Sequence, residues 1–115
     1  MLKKENRIST PFEYKITKKY GQKIEGDTFF AYVLKPDNYM GPTKAGVVVS
    51  NKFSKKATAR NKVKRLFREA IRKNLNFIPQ NCWISVYPKF SVSDKTYEEI
   101  YTDFNKNLQK VSQPR

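Results

Sequence analysis

Apolar residues recur along this chain in two rhythms, and the switches between them mark its elements. Phe12, Ile16 and Tyr20 repeat at i, i+4, i+8 behind Thr10 and Pro11. A threonine N-cap with proline at the first helical position predicts a helix start there, since proline lacks an N–H where none is needed. Gly21 is placed to end that helix as a C′ glycine. From Thr28 to Leu34 the period falls to two, with Phe29, Ala31 and Val33 on one side and Phe30, Tyr32 and Leu34 on the other. A short partner strand is expected at Lys23–Glu25. Two apolar faces on one strand imply that one packs on a core while the other lines a groove.

Lys35 to Pro42 reads as a loop broken by proline and glycine, and Ala45 to Ser50 as a valine-rich strand. The strongest helical pattern runs from Ala57 to Asn74, where Val63, Leu66, Phe67, Ala70 and Ile71 form a core-facing stripe. Pro79 and Asn81 break the chain, Cys82 to Tyr87 forms a further strand, and Trp83 on it is expected to pack under a helix. A last helix is expected from Ser93 or Asp94, burying Tyr97, Ile100, Tyr101, Phe104, Leu108 and Val111. The order α-β-β-α-β-α predicts an α+β fold, a small mixed sheet covered by helices. It forms one domain over residues 1–115, with 1–6 and 112–115 as frayed ends.

Charge changes this picture more than any other bulk property. The chain carries 24 Lys and Arg against 10 Asp and Glu, a net charge of +14. Self-repulsion of that size calls for a polyanion, a nucleic acid or an anionic membrane. No apolar run approaches the roughly 20 residues that span a bilayer, and the basic helix has an ordinary core-packing face, so a membrane partner is not expected. The opening residues lack the apolar stretch of a secretory signal, and the single cysteine, Cys82, suits a reducing cytoplasm.

There is no histidine. With only one cysteine as well, that excludes a Ser-His-Asp triad, a Cys-His pair and the usual zinc sets, and the acids form no D-x-D-like cluster. No residue of this chain is expected to be catalytic.

Residues 52–73 hold ten basic side chains against the one acid Glu69. Ordinary solvated helix faces mix signs and gain i,i+4 ion pairs, and this one has almost none to make. Opposite the apolar stripe, Asn61, Lys64, Arg65, Arg68 and Arg72 cover an arc of about 100°. Arginine presents a planar fork to phosphate, and Asn61 can donate or accept at a sugar or base edge. The loop Ser50-Asn51-Lys52-Phe53-Ser54-Lys55-Lys56 brings more charge to the helix N-terminus, which itself favours anions. A helix-turn-helix would need a second helix where Ala45–Ser50 reads as strand, and the aromatic strand face suits unpaired bases. Both favour RNA over DNA.

The run Ser50-Asn51-Lys52, a short basic loop, then Arg60-Asn61-Lys62-Val63-Lys64-Arg65-Leu66-Phe67-Arg68-Glu69 resembles the signature of bacterial ribonuclease P proteins, an R-N-R, an apolar residue, K-R and R-E or R-Q. The likeness extends over roughly residues 7–111, and Lys62 departs from the pattern by replacing the arginine at the third motif position. It implies an α/β sandwich like the second domain of ribosomal protein S5, with a left-handed β-α-β crossover where general rules favour the right-handed one.

It also implies a subunit of ribonuclease P, the ribonucleoprotein endonuclease that removes the 5′ leader of precursor tRNA. In that enzyme the RNA subunit holds Mg²⁺ and cleaves, and this chain needs no cofactor of its own. Arg60, Asn61, Lys64, Arg65 and Arg68 would face the RNA subunit, joined by Lys55, Lys56, Lys62 and Arg72. Tyr14, Phe30, Tyr32, Val48, Ser50 and Lys52 would line the leader cleft. One monomer per RNA subunit, acting in the cytoplasm, is the expected assembly. The alternative is a ribosomal or other structured-RNA-binding protein with no part in cleavage.

Overall fold

The computed structural model describes residues 4–36, 39–50, 52–75, 78 and 81–112, without the side chains of 93, 94 and 110–112. Among these residues three helices, α1 (Pro11–Tyr20), α2 (Ala57–Lys73) and α3 (Tyr97–Ser112), pack on four strands, β1 (Gln22–Glu25), β2 (Phe29–Leu34), β3 (Lys44–Val47) and β4 (Trp83–Pro88). The order is therefore α-β-β-β-α-β-α, with the short segment before Gly26 standing as a full strand. The sheet runs β1-β2-β4-β3. β1–β2 and β2–β4 are antiparallel, whereas β3 and β4 are parallel and joined through α2.

Alternation along the strands sorts side chains onto two faces. Ile24, Phe29, Ala31, Val33, Ala45, Val47, Ile84 and Val86 are buried in one core with Val63, Phe67, Ala70 and Ile71 of α2 and Ile100, Phe104 and Leu108 of α3. Phe29 ties the layers together, its ring 5.9 Å from Phe67 and 5.3 Å from Phe104. Burying one large aromatic contributes about 3 kcal/mol, so this triplet anchors both helices to β2.

The expected α1 stripe is corrected. Phe12 and Tyr20 are each 65% exposed, and the buried residues are Glu13 and Thr17. Polar partners decide the rotation. Thr10 and Glu13 form a reciprocal capping box, and the Glu13 carboxylate accepts from the Lys44 ammonium at 2.9 Å on β3. The Thr17 hydroxyl donates to the Glu13 carbonyl, so the buried side of α1 is hydrogen-bonded. Gly21 does not adopt the left-handed conformation (φ −77°). Glycine is needed there because a Cβ would strike the Thr17 carbonyl and press on the Val33 backbone.

Burial by itself would raise the Glu13 carboxyl, but the Lys44 ammonium and donors at Ser9 and Thr10 overcome it and hold the group from 4.5 down to about 2. A carboxylate so depressed in the fold stabilises it above the unfolded pKa and loses that contribution as pH falls toward 2. We expect wild type to lose about 3 kcal/mol over that interval beyond what Glu13→Gln loses. Parallel acid profiles in thermal denaturation would count against the pair.

Other expectations shift at their edges. Lys4–Asn6 form a 3₁₀ turn whose Asn6 amide donates to the Thr43 carbonyl, and Ile8 is buried. The frayed start is thus corrected for residues 4–6. Arg7 bridges Ala45 in parallel, covering part of the β3 edge. A 3₁₀ segment occupies Phe90–Asp94, and α3 starts at Tyr97 behind a reciprocal Thr96–Glu99 cap. Asn81 enters β4 at φ 62°, a left-handed position that asparagine tolerates. Trp83 sets its ring 5.4 Å from Tyr39 of the β2–β3 loop. The Asn51 side chain and the expected burial of Val111 lie outside what is described.

Candidate nucleic-acid interface

The apolar stripe of α2 faces the core as expected, with Val63, Phe67, Ala70 and Ile71 buried and Leu66 at its margin. Asn61, Lys62 and Arg65 are exposed, and Lys64 and Arg68 half-exposed. Among the described residues Arg65 and Arg68 have no carboxylate partner. Arg72 differs, since its guanidinium is engaged by Glu69 one turn back. Sequence spacing treated it as part of the open row. The single acid of the segment shares its charge.

The N-terminus of α2 is open in the way an anion site requires. Lys56 is the N-cap, no side chain caps the helix, and the first turn holds no acid. Arg60 donates to the Ser54 carbonyl at 2.7 Å, folding the basic loop against the helix start. Lys55 and Lys56 are exposed beside it.

On the sheet face away from α2 and α3, aromatic rings gather beside α1. Phe30 and Tyr87 stack at 5.1 Å with planes 8° apart, and Tyr32 stands edge-on to both at 6.1 and 5.8 Å. Lys23 lies 5.1 Å over Phe30 and Lys18 5.8 Å over Tyr87, so cations border the rings. A groove beside them is lined by Phe30, Val48, Ser50, Lys52, Phe53 and Tyr87, continuing to Phe90. Four of the expected cleft residues thus share one surface, and Tyr32 adjoins it through its ring contacts.

Tyr14 reaches the same sheet face from α1, packed so closely on Gly46 that a Cβ there would overlap its ring. Burial raises its phenol above the usual range, while the Arg68 guanidinium acts to lower it. Tyr14 thus closes the β3 end of the aromatic face, within the electrostatic reach of Arg68.

Tyr87, Phe53 and Phe90 were missed in the sequence. Tyr87 could have been found, since strand alternation puts it opposite the buried Val86, and it pairs with Phe30 across the sheet. Phe53 and Phe90 come together from two loops, with rings 5.9 Å apart, and no local pattern encodes that meeting. Among the described residues no three acidic or thiol side chains converge as a metal site needs.

A family model, Ribonuclease P, matches residues 2–112. The ribonuclease P protein component of Rippkaea orientalis is 35% identical over 114 residues, covering 96% of this chain and 89% of that protein. That of Vibrio parahaemolyticus is 31% identical, covering 96% and 92%. Among solved structures, the RNase P protein from Thermotoga maritima superposes with a TM-score of 0.80 at 27% identity, covering 93% of this chain and 98% of that one. The Staphylococcus aureus RNase P protein shares the fold with a TM-score of 0.81. A helix with an open cationic face, an aromatic groove, and relatives matched along nearly their whole length lead to one assignment: the chain belongs to the ribonuclease P protein family, the protein components of the ribonucleoprotein endonuclease that matures the 5′ end of tRNA.

Proposed function

We propose that α2 holds the ribonuclease P RNA through Arg60, Asn61, Lys62, Lys64, Arg65 and Arg68, helped by Lys55 and Lys56, while the aromatic groove takes the 5′ leader of precursor tRNA. One observation carries the first half. Arg65 and Arg68 stand on a helix pinned from its other side by Val63, Phe67, Ala70 and Ile71, and no carboxylate among the described residues neutralises them. Such a face gains free energy by releasing counterions from a polyanion.

The second half draws on Phe30, Tyr32 and Tyr87, with Tyr14, Val48, Ser50 and Lys52 around them. Stacking on aromatic rings tolerates any base, which suits a leader whose sequence varies between substrates. In this division of labour the RNA subunit binds Mg²⁺ and cleaves. The protein screens repulsion between two RNAs and raises affinity for the precursor. One copy of the single domain per RNA subunit, working in the cytoplasm where tRNA matures, completes the proposal.

The test is reconstitution of purified protein with a ribonuclease P RNA across a magnesium series. Precursor cleavage at low Mg²⁺ should depend on the protein, and cleavage indifferent to its presence would remove the assignment. Within that assay Tyr32→Ala should weaken precursor binding about ten-fold, the scale of one lost base stack, with RNA-subunit binding unchanged. Equal losses for precursor and mature tRNA would show that the groove does not read the leader.

A further inference from the structure

A second pocket lies on the other flank of α2, where the helix meets the first turn of α3. It is lined by Lys62, Arg65, Leu66, Arg68, Glu69 and Tyr97, and the lining is mostly apolar. The surface continues past Tyr97, where the Lys73 ammonium sits 5.4 Å over the ring and the Tyr101 ring lies 6.3 Å away. Leu66 and Tyr97 are only partly buried, although both pack against the core. The Tyr97 hydroxyl is shielded and has no hydrogen-bond partner. A buried tyrosine ordinarily finds one.

We propose that this pocket receives an unstacked nucleobase of the ribonuclease P RNA, seated between Leu66 and the Tyr97 ring with its phosphates on Lys62 and Arg65. This rests on the assignment of α2 to the RNA subunit and extends it from charge to shape. Three features favour a nucleotide as occupant. The apolar floor includes an aromatic ring on which a base can stack. The cations Lys62, Arg65 and Arg68 beside it have no carboxylate partner among the described residues, which complements a phosphate backbone. The pocket is also continuous with the helix face that holds the RNA.

Its place separates it from the substrate. The aromatic groove lies on the opposite face of the sheet from α3, so a leader lying there is directed away from Tyr97. An RNA chain spread over α2 meets both Arg65 and the pocket at once. Binding by α2 then has a shape-selective element as well as a salt-sensitive one, since a duplexed or stacked nucleotide cannot enter.

Two measurements on the full protein decide the matter. Affinity for the RNA subunit alone is measured for Tyr97→Phe and Tyr97→Leu, alongside their thermal denaturation. Tyr97→Phe should bind like wild type, and Tyr97→Leu should lose about ten-fold or more, as for one lost base–aromatic stack. In parallel, Glu69→Cys carrying a thiol-linked photocrosslinker is irradiated in the holoenzyme with precursor bound. Crosslinks should map to an unpaired nucleotide of the RNA subunit.

Wild-type affinity in a folded Tyr97→Leu overturns the proposal, as do crosslinks confined to helical RNA or to the leader. Should Tyr97→Leu fail to fold, the crosslinks alone decide. If Arg65→Glu/Arg68→Glu weakens RNA binding while Tyr97→Leu does not, only the pocket is wrong. If neither does, the assignment of α2 to RNA fails with it.

Discussion

Reversing both Arg65 and Arg68 to glutamate is expected to weaken binding to the ribonuclease P RNA by on the order of 100-fold or more at physiological salt, with the fold intact. Both side chains point away from the core stripe and make no ion pair among the described residues, so the change removes no internal carboxylate contact. It moves the net charge from +14 to +10 and concentrates the loss on one helix. Each phosphate contact contributes about 0.7–0.9 to the slope of log affinity against log salt. The double variant should therefore flatten that slope by about 1.4–1.8 as well as lower affinity. Arg72→Ala, by contrast, removes a side chain already occupied by Glu69 and should change the slope much less. A double variant that assembles normally across a salt series would mean that another surface carries the RNA.

The second large effect is expected from Phe67→Ala, which leaves every charge in place. Phe67 is fully buried and packs edge-on against Phe29, which in turn meets Phe104. Truncating a buried phenylalanine costs about 3–5 kcal/mol, against a total of about 5–15 kcal/mol for a small domain. A net charge of +14 is expected to place the free chain near the low end of that range, because its cationic residues repel one another. Chemical denaturation should show a large loss of stability in isolation. Saturating ribonuclease P RNA should restore much of the folded population, since a ligand that binds only the native state stabilises it by mass action. A variant as stable as wild type would show that α2 is not held through its apolar stripe.

Glu69 shows how one side chain redistributes the interface. Its carboxylate is held below the usual range, first by hydrogen bonding from Arg72 and further by its charge. It thereby divides α2 into an open part around Arg65 and Arg68 and a neutralised part at Arg72. The sequence places these arginines on one arc and cannot rank them. Rank follows from which rotamers meet, and that depends on the packed helix.

Much of the fold is legible from local pattern because it is local in cause. The stripe Val63, Phe67, Ala70 and Ile71 obeys helical period, and the alternation of β2 sends Phe29 inward and Phe30 outward whatever the neighbours are. The cap at Thr10 and Pro11 is readable for the same reason. The failure at α1 has an identifiable cause. Apolar periodicity pointed to Phe12, Ile16 and Tyr20, but the Glu13 carboxylate finds the Lys44 ammonium across 31 residues and turns the helix toward it. A polar residue can win the buried side when its partner comes from afar, and no window of sequence contains that partner.

The sequence by itself determined that a basic helix with one apolar stripe must lie on a sheet and present its cations to a polyanion. Period, charge count and the missing histidines suffice for that, since each is a property of neighbours along the chain. Only the tertiary structure decided which surfaces those cations border. The groove of Phe30, Tyr87, Phe53 and Phe90, the packing of Tyr14 on Gly46 and the pocket between Leu66 and Tyr97 all join segments far apart in the chain. Such contacts arise from strand register and helix rotation, which are settled by packing across the whole core and not by any local run of residues.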